Sequence, residues 1–240
     1  MVDLSDTRGF LTGLHRLVRP KTYLEVGVQH GYSLNLAFAA EVAIGVDPQP
    51  LIAPQGNQTV YKMESDAFFH AVHNRGAVRS VDPNGREWDH GTATVLPPID
   101  LAYIDGMHLI EYVVRDFQNI ARYCHPRSIV AFDDVLPRIQ EEARRIPVGT
   151  PIVGDWTGDV WKIHRMLAEY RPDLRLRLVD TWPTGCLVVS GFPAHPQQWA
   201  PDRRLVEIWQ DWTTVPPAVL DRVTAITPEQ ALAELTEEWA

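Results

Sequence analysis

Tyr23-Leu24-Glu25-Val26-Gly27-Val28-Gln29-His30-Gly31-Tyr32-Ser33 runs from a short apolar segment straight into a glycine turn. The run from Tyr23 to Val26 is strand-sized, and its ending in glycine marks a buried parallel strand. Gly27 and Gly31 permit a tight strand-to-helix turn and a close approach of backbone to a ligand. A helix is expected over residues 33–41, with Ser33 placed to cap it. Val42 to Val46 is a second buried strand, closed by Asp47-Pro48. A dinucleotide fingerprint would place glycine at position 29, where this chain has Gln29, so the pattern is E-x-G-x-x-x-G instead.

The same alternation continues outward. Residues 59–63, 101–104 and 128–132 read as third, fourth and fifth strands, separated by helices over 66–73 and 110–123. Five alternations of strand and helix predict an open parallel α/β sheet. Ahead of it, Phe10, Leu11, Leu14, Leu17 and Val18 stand at helical spacing. The polar, Pro/Gly-punctuated stretch 76–98 reads as an insertion or mobile loop. Farther on, 138–146 and 159–170 read as helices, and 174–179 and 186–190 as an antiparallel pair at the sheet edge. The expectation is one domain over 1–240: an N-terminal helix (1–20), a Rossmann-like core (21–191) and a helical C-terminal extension (192–240). The core is expected to be a seven-stranded, mostly parallel sheet with an antiparallel edge strand and helices on both faces.

Composition narrows the function. The chain has 240 residues and a net charge of -9, which disfavours a nucleic-acid surface. No apolar run approaches the ~18 residues of a membrane span, and MVDLSDTRGF lacks the basic-then-apolar order of a secretory leader. Cys124 and Cys186 stand in no metal-like spacing, as expected of ordinary thiols in a reducing cytoplasm. The expected partner is a small molecule, with a homodimer possible through the tryptophans of the tail (Trp199, Trp209, Trp212).

LEVGVQHGYS followed by IGVDP resembles motif I and the second-strand acid of class I S-adenosylmethionine-dependent methyltransferases. In that family the glycine loop wraps the methionine part of S-adenosylmethionine, and the acid holds the ribose hydroxyls. The resemblance implies Glu25, Gly27, Gly31 and Asp47 as cofactor-binding residues, with Ser33 beside them. Ser65 and Asp66, after the third strand, fall where the fold usually meets adenine, although capping of the next helix explains them equally. A carboxylate accepting two hydrogen bonds from a vicinal diol is consistent chemistry for Asp47.

A second cluster closes the fourth and fifth strands: Asp105-Gly106-Met107-His108 and Asp133-Asp134. Adjacent parallel strands lie roughly 5 Å apart, so these carboxylates can converge, and three of them would repel without a cation. Hard oxygen ligands suit Mg²⁺. The arrangement resembles metal-dependent small-molecule O-methyltransferases of the catechol and bacterial sugar or antibiotic types. That likeness implies Asp105, Asp133 and Asp134 as metal ligands, Asp105 also beside the cofactor, and His108 as the general base. The stretch departs from the D-G-x-H-x-Y-x-x-V-x-x-D pattern of a bacterial group at Ile110, where tyrosine is common. Metal coordination plus a base makes a hydroxyl of high pKa nucleophilic, and histidine titrates in the right range.

Other readings stay open at this stage. The acids can be strand-end turns and helix caps, and His108 an ordinary helix-start residue. A metal-independent N- or O-methyltransferase uses the same residues without the ion. A nicotinamide-dependent oxidoreductase is disfavoured by Gln29 and by the lack of a Tyr-x-x-x-Lys pair; a non-catalytic cofactor-binding protein would not need the clustered charge. Asp155-Trp156-Thr157-Gly158-Asp159-Val160-Trp161 reads either as an acceptor border or as a core wedge with a helix cap.

Overall fold

The computed structural model describes residues 3–82, 84, 86–92, 95–146, 156–195 and 203–239. After helix α1 (Thr7–Val18) come strand β1 (Thr22–Val26), a 3-10 helix (Leu34–Ala39), β2 (Val42–Asp47), β3 (Gln58–Lys62) and α2 (Ser65–Asn74). A hairpin, β4 (Ala77–Val81) and β5 (Glu87–Thr92), precedes β6 (Ile99–Ile104), α3 (Ile110–Ala121) and β7 (Cys124–Phe132). The chain closes with α4 (Lys162–Tyr170), β8 (Arg175–Val179), β9 (Cys186–Ser190), α5 (Arg203–Asp211), α6 (Pro217–Leu220) and α7 (Pro228–Glu238).

The strands form one sheet in the order β5-β4-β3-β2-β1-β6-β7-β9-β8. β3, β2, β1, β6 and β7 are parallel neighbours, whereas β9 pairs antiparallel with both β7 and β8. All seven expected strands are present. The stretch expected as a loop over 76–98 instead contributes β4 and β5, which extend the sheet antiparallel beyond β3. Its alternation is faint because an edge hairpin buries little: only Val78, Ser80 and Val81 of β4 are covered.

Strand residues alternate between two cores, as a period of two requires. Leu24, Val26, Ala102, Ile104, Val130 and Phe132 pack on the side of α2, α3, α4 and α5. Tyr23, Ala43, Leu101, Tyr103, Ile129 and Ala131 face α1 and α7. Burial on both faces is what makes these strands read as nearly unbroken apolar runs. β1 lies between β2 and β6, so the strand order reverses there. This is the switch point at which an open α/β sheet offers a crevice beyond its carboxyl ends.

One expected helix takes another form, and one is not formed. The segment after the glycine turn is a 3-10 helix rather than an α-helix, kinked at Ala37, and Ser33 makes no capping bond. Residues 138–146 adopt turns, because the backbone carbonyl of Glu142 is taken by the N–H groups of Thr157 and Gly158 instead of a helical partner.

Candidate active site

The glycine turn is first of all a self-supporting structure. Gly27 has φ +88°, and a Cβ there would stand 1.9 Å from the carbonyl oxygen of Asp105. At Gly31, φ +70°, a Cβ would fall 2.0 Å from Cδ1 of Ile52. At Gly27 the obstacle is backbone, and at both positions the positive φ disfavours any residue with a side chain. Asp47 ends β2 and holds the turn shut: Oδ2 accepts the N–H groups of Val28 (2.9 Å) and Gln29 (2.8 Å), and Oδ1 accepts that of Gln49 (2.6 Å). With about four lone-pair sites on a carboxylate, one acceptor position remains for a ligand hydroxyl.

Glu25 lies wholly inside. Tyr23 donates its hydroxyl to Oε2 at 2.6 Å, and Ser33 donates to Oε1 at 2.8 Å. Burial pushes this carboxyl up to about 8, against the two hydrogen bonds that favour its charged form. Ser33, expected as a cap, therefore anchors the turn through Glu25. After β3, Asp66 is engaged by Arg115, whose Nε reaches Oδ1 at 3.1 Å and Oδ2 at 2.9 Å. Nearby, burial raises the carboxyl of Asp116 to about 7.

Beyond β6 and β7 the acids separate. Asp105, His108 and Asp134 bring one ligand atom each within 4.8 Å of the others. His108 Nε2 is 3.4 Å from Asp105 Oδ1, and Nδ1 is 3.1 Å from Asp134 Oδ2. Asp134 sits at φ +62°, a left-handed conformation that aspartate tolerates better than most residues. Asp133 is not in this set. Its Oδ2 accepts the Tyr103 hydroxyl at 2.5 Å, its Oδ1 accepts the Asp134 N–H at 3.0 Å, and Thr7 stands 3.5 Å away. Burial and the neighbouring Asp134 charge raise Asp133 to about 7.

His108 is gripped from the far side by a segment whose part sequence reading left undecided. The Trp156 carbonyl lies 2.5 Å from Nδ1, and the Trp156 ring stacks on the imidazole at 5.3 Å between centroids. Nδ1–H donating to that carbonyl leaves the lone pair of neutral imidazole on Nε2, facing Asp105. Burial alone would lower the His108 pKa, but the Asp105 hydrogen bond and the charges of Asp134 and Asp105 outweigh it and raise it to about 9. Asp105 and Asp134 together offer carboxylate oxygens, the hard donors that suit a divalent cation such as Mg²⁺. Trp161, in contrast, is core, packed edge-on against Trp212 at 4.8 Å. Asp155 and Trp199 lie outside the described residues.

Comparison with known proteins agrees with this architecture. Residues 24–135 match the family model described as a methyltransferase domain. Uncharacterized protein R132 of Acanthamoeba polyphaga mimivirus is 24% identical over 179 residues, covering 72% of this chain and 74% of that protein. Among solved structures, the O-methyltransferase from Bacillus cereus in complex with SAH is similar with a TM-score of 0.50 at 13% identity, covering 78% of this chain and 83% of that one. The SAH-bound Podospora anserina methyltransferase PaMTH1 gives a TM-score of 0.49 at 15% identity, covering 77% of each chain. The match to the family model covers just under half of the chain, and the likeness to the Bacillus cereus structure is one of fold. The matched region spans the switch-point strand, the Asp47 turn, the His108 loop and the Asp133-Asp134 pair.

Proposed function

We propose that the protein transfers a methyl group from S-adenosylmethionine to a hydroxyl of a small molecule, assisted by Mg²⁺. The observation that carries the reading is the double duty of Asp105. Its backbone carbonyl abuts Gly27 of the glycine turn, and its carboxylate faces Nε2 of His108. Donor loop and base are thus joined through one residue. On this reading Glu25, Gly27, Gly31, Ser33 and Asp47 shape the pocket for the methionine and ribose parts of the donor, with Ser65 and Asp66 toward the adenine.

The acceptor oxygen attacks the methyl carbon in line, and the carbon–sulfur electron pair passes to the sulfonium sulfur. His108 Nε2 takes the hydroxyl proton, while the Trp156 carbonyl holds the opposite ring nitrogen. Asp105 and Asp134 would supply oxygens for the ion, with Asp133 behind them, fixed by Tyr103. When bound, the ion lowers the pKa of the acceptor hydroxyl and offsets the acidic charge around His108.

The test is calorimetric titration of S-adenosylhomocysteine into EDTA-treated protein, repeated with Mg²⁺ and in Asp134→Ala and Asp133→Ala variants. Micromolar binding throughout, with separate Mg²⁺ binding lost in Asp134→Ala, is the expected result. Absence of S-adenosylhomocysteine binding under every condition overturns the donor assignment. Unchanged Mg²⁺ binding in both variants overturns the metal assignment.

A further inference from the structure

Asp159 and Lys162 form an ion pair of 2.7 Å in which the side chains are only 2% and 1% exposed. Removing two charges from water costs several kcal/mol per ion by general estimates, and apolar residues of similar volume commonly serve stability as well. The pair therefore asks for a reason other than stability, and the remaining contacts of Asp159 supply one. Its Oδ1 accepts the N–H of Ile110, the first residue of α3, at 2.7 Å. Its own N–H donates to the carbonyl of His108 at 3.1 Å. The preceding Gly158, at φ +54°, lies so close to that carbonyl that a Cβ would be 1.7 Å from it. Together with the Trp156 carbonyl at Nδ1, segment 156–159 holds His108 by its ring, its carbonyl and the amide two residues on. The other carboxylate oxygen takes Lys162 and Arg145, and Arg145 continues to Glu111 in the first turn of α3.

We propose that Asp159 is the positioning residue for His108: it fixes the backbone from 108 to 110 so that the imidazole presents Nε2 toward Asp105. Lys162 and Arg145 are the counter-ions that allow a carboxylate to do this inside the protein. The inference deepens the reading on which His108 takes the acceptor proton, and rests on it. Such anchoring matters because a displacement of ~1 Å at a reacting group costs about 10²-fold in rate.

Two double variants of the full-length protein isolate the clamp, since both lack the ion pair. Asp159→Asn/Lys162→Met keeps an oxygen for the Ile110 amide, and Asp159→Ala/Lys162→Met does not. Read-outs are the His108 ring resonances, displaced by the stacked Trp156 indole, and hydrogen exchange at Ile110, each measured with and without S-adenosylhomocysteine. The Asn double is expected to keep both signatures. In the Ala double the His108 resonances should move toward those of a free imidazole and Ile110 should exchange about tenfold faster. Affinity for S-adenosylhomocysteine should change by less than about threefold in both. Identical His108 resonances and Ile110 exchange in the two doubles overturn the proposal. If the Ala double fails to fold, Gly158→Ala displaces the same carbonyl with the ion pair intact, and it must shift the same His108 resonances. Failure of the wild type to bind S-adenosylhomocysteine would refute methyl transfer while leaving this comparison readable.

Discussion

Gly27→Ala is the most direct challenge to the account of the glycine turn, because its cost can be worked from two separate contributions. The first is conformational: φ at Gly27 is +88°, and a left-handed L-residue costs roughly 1–2 kcal/mol. The second is steric. The new Cβ would stand 1.9 Å from the Asp105 carbonyl oxygen and 2.4 Å from its carbon, and this is backbone rather than a flexible side-chain tip. That backbone cannot yield easily, since Asp105 N–H donates to Val26 at 2.8 Å and Val26 is in register with Ile104 across β1 and β6. Forcing an extra carbon into such a place typically costs about 1–3 kcal/mol, so the total is about 2–5 kcal/mol. Gly56 provides the control. It has φ +59° with nothing within 4 Å of its Cβ position, so Gly56→Ala carries only the conformational part, about 1–2 kcal/mol. Urea and thermal unfolding of both variants measure the difference, at about 2–4 °C per kcal/mol for a domain of this size. Gly27→Ala should also weaken S-adenosylhomocysteine binding, while Gly56→Ala should not. Equal destabilisation by the two substitutions would refute the claim that Gly27 is required by its contact with Asp105.

Glu25→Gln should alter how stability depends on pH. The folded-state pKa of about 8 lies above the ordinary 4.5, so folding favours the protonated form. Its stabilising contribution is complete below about pH 4.5 and is lost as pH rises through about 8; denaturant midpoints of the Gln variant should lack that decline. Thr227→Ala removes the capping box that opens α7, in which Thr227 Oγ1 accepts the Gln230 N–H at 3.2 Å, and should cost ~1 kcal/mol in unfolding measurements. Cys124, whose thiol burial pushes up to about 12, and the equally buried Cys186 should react with Ellman's reagent only as fast as the protein opens, with full reaction in denaturant.

Much of this molecule is legible one strand at a time. Each parallel strand is buried on both faces, so it appears as a compact apolar run whatever its neighbours are. The turn after β1 needs positive φ at positions 27 and 31, and glycine declares that need in the sequence. The acids closing β2, β6 and β7 are likewise visible, because charged residues stand out at the ends of apolar strand runs. Among the described residues, no helix is long and apolar enough to cross a membrane.

What those acids touch is decided by contacts across long stretches of chain. Asp133 and Asp134 are adjacent and chemically alike, yet the left-handed turn at Asp134 sends one carboxylate to His108 and leaves the other with Tyr103, 30 residues away. The turns at 138–146 exist because Thr157 and Gly158 claim the Glu142 carbonyl. The anchoring of His108 by residues about 50 positions later is invisible to any local reading, since a side chain's partner there is chosen by packing rather than by period. Local pattern thus determined the sheet, the turn and the list of chemical groups. Tertiary structure alone decided which of those groups face one another, because direction depends on dihedrals and distant neighbours that a linear pattern does not carry.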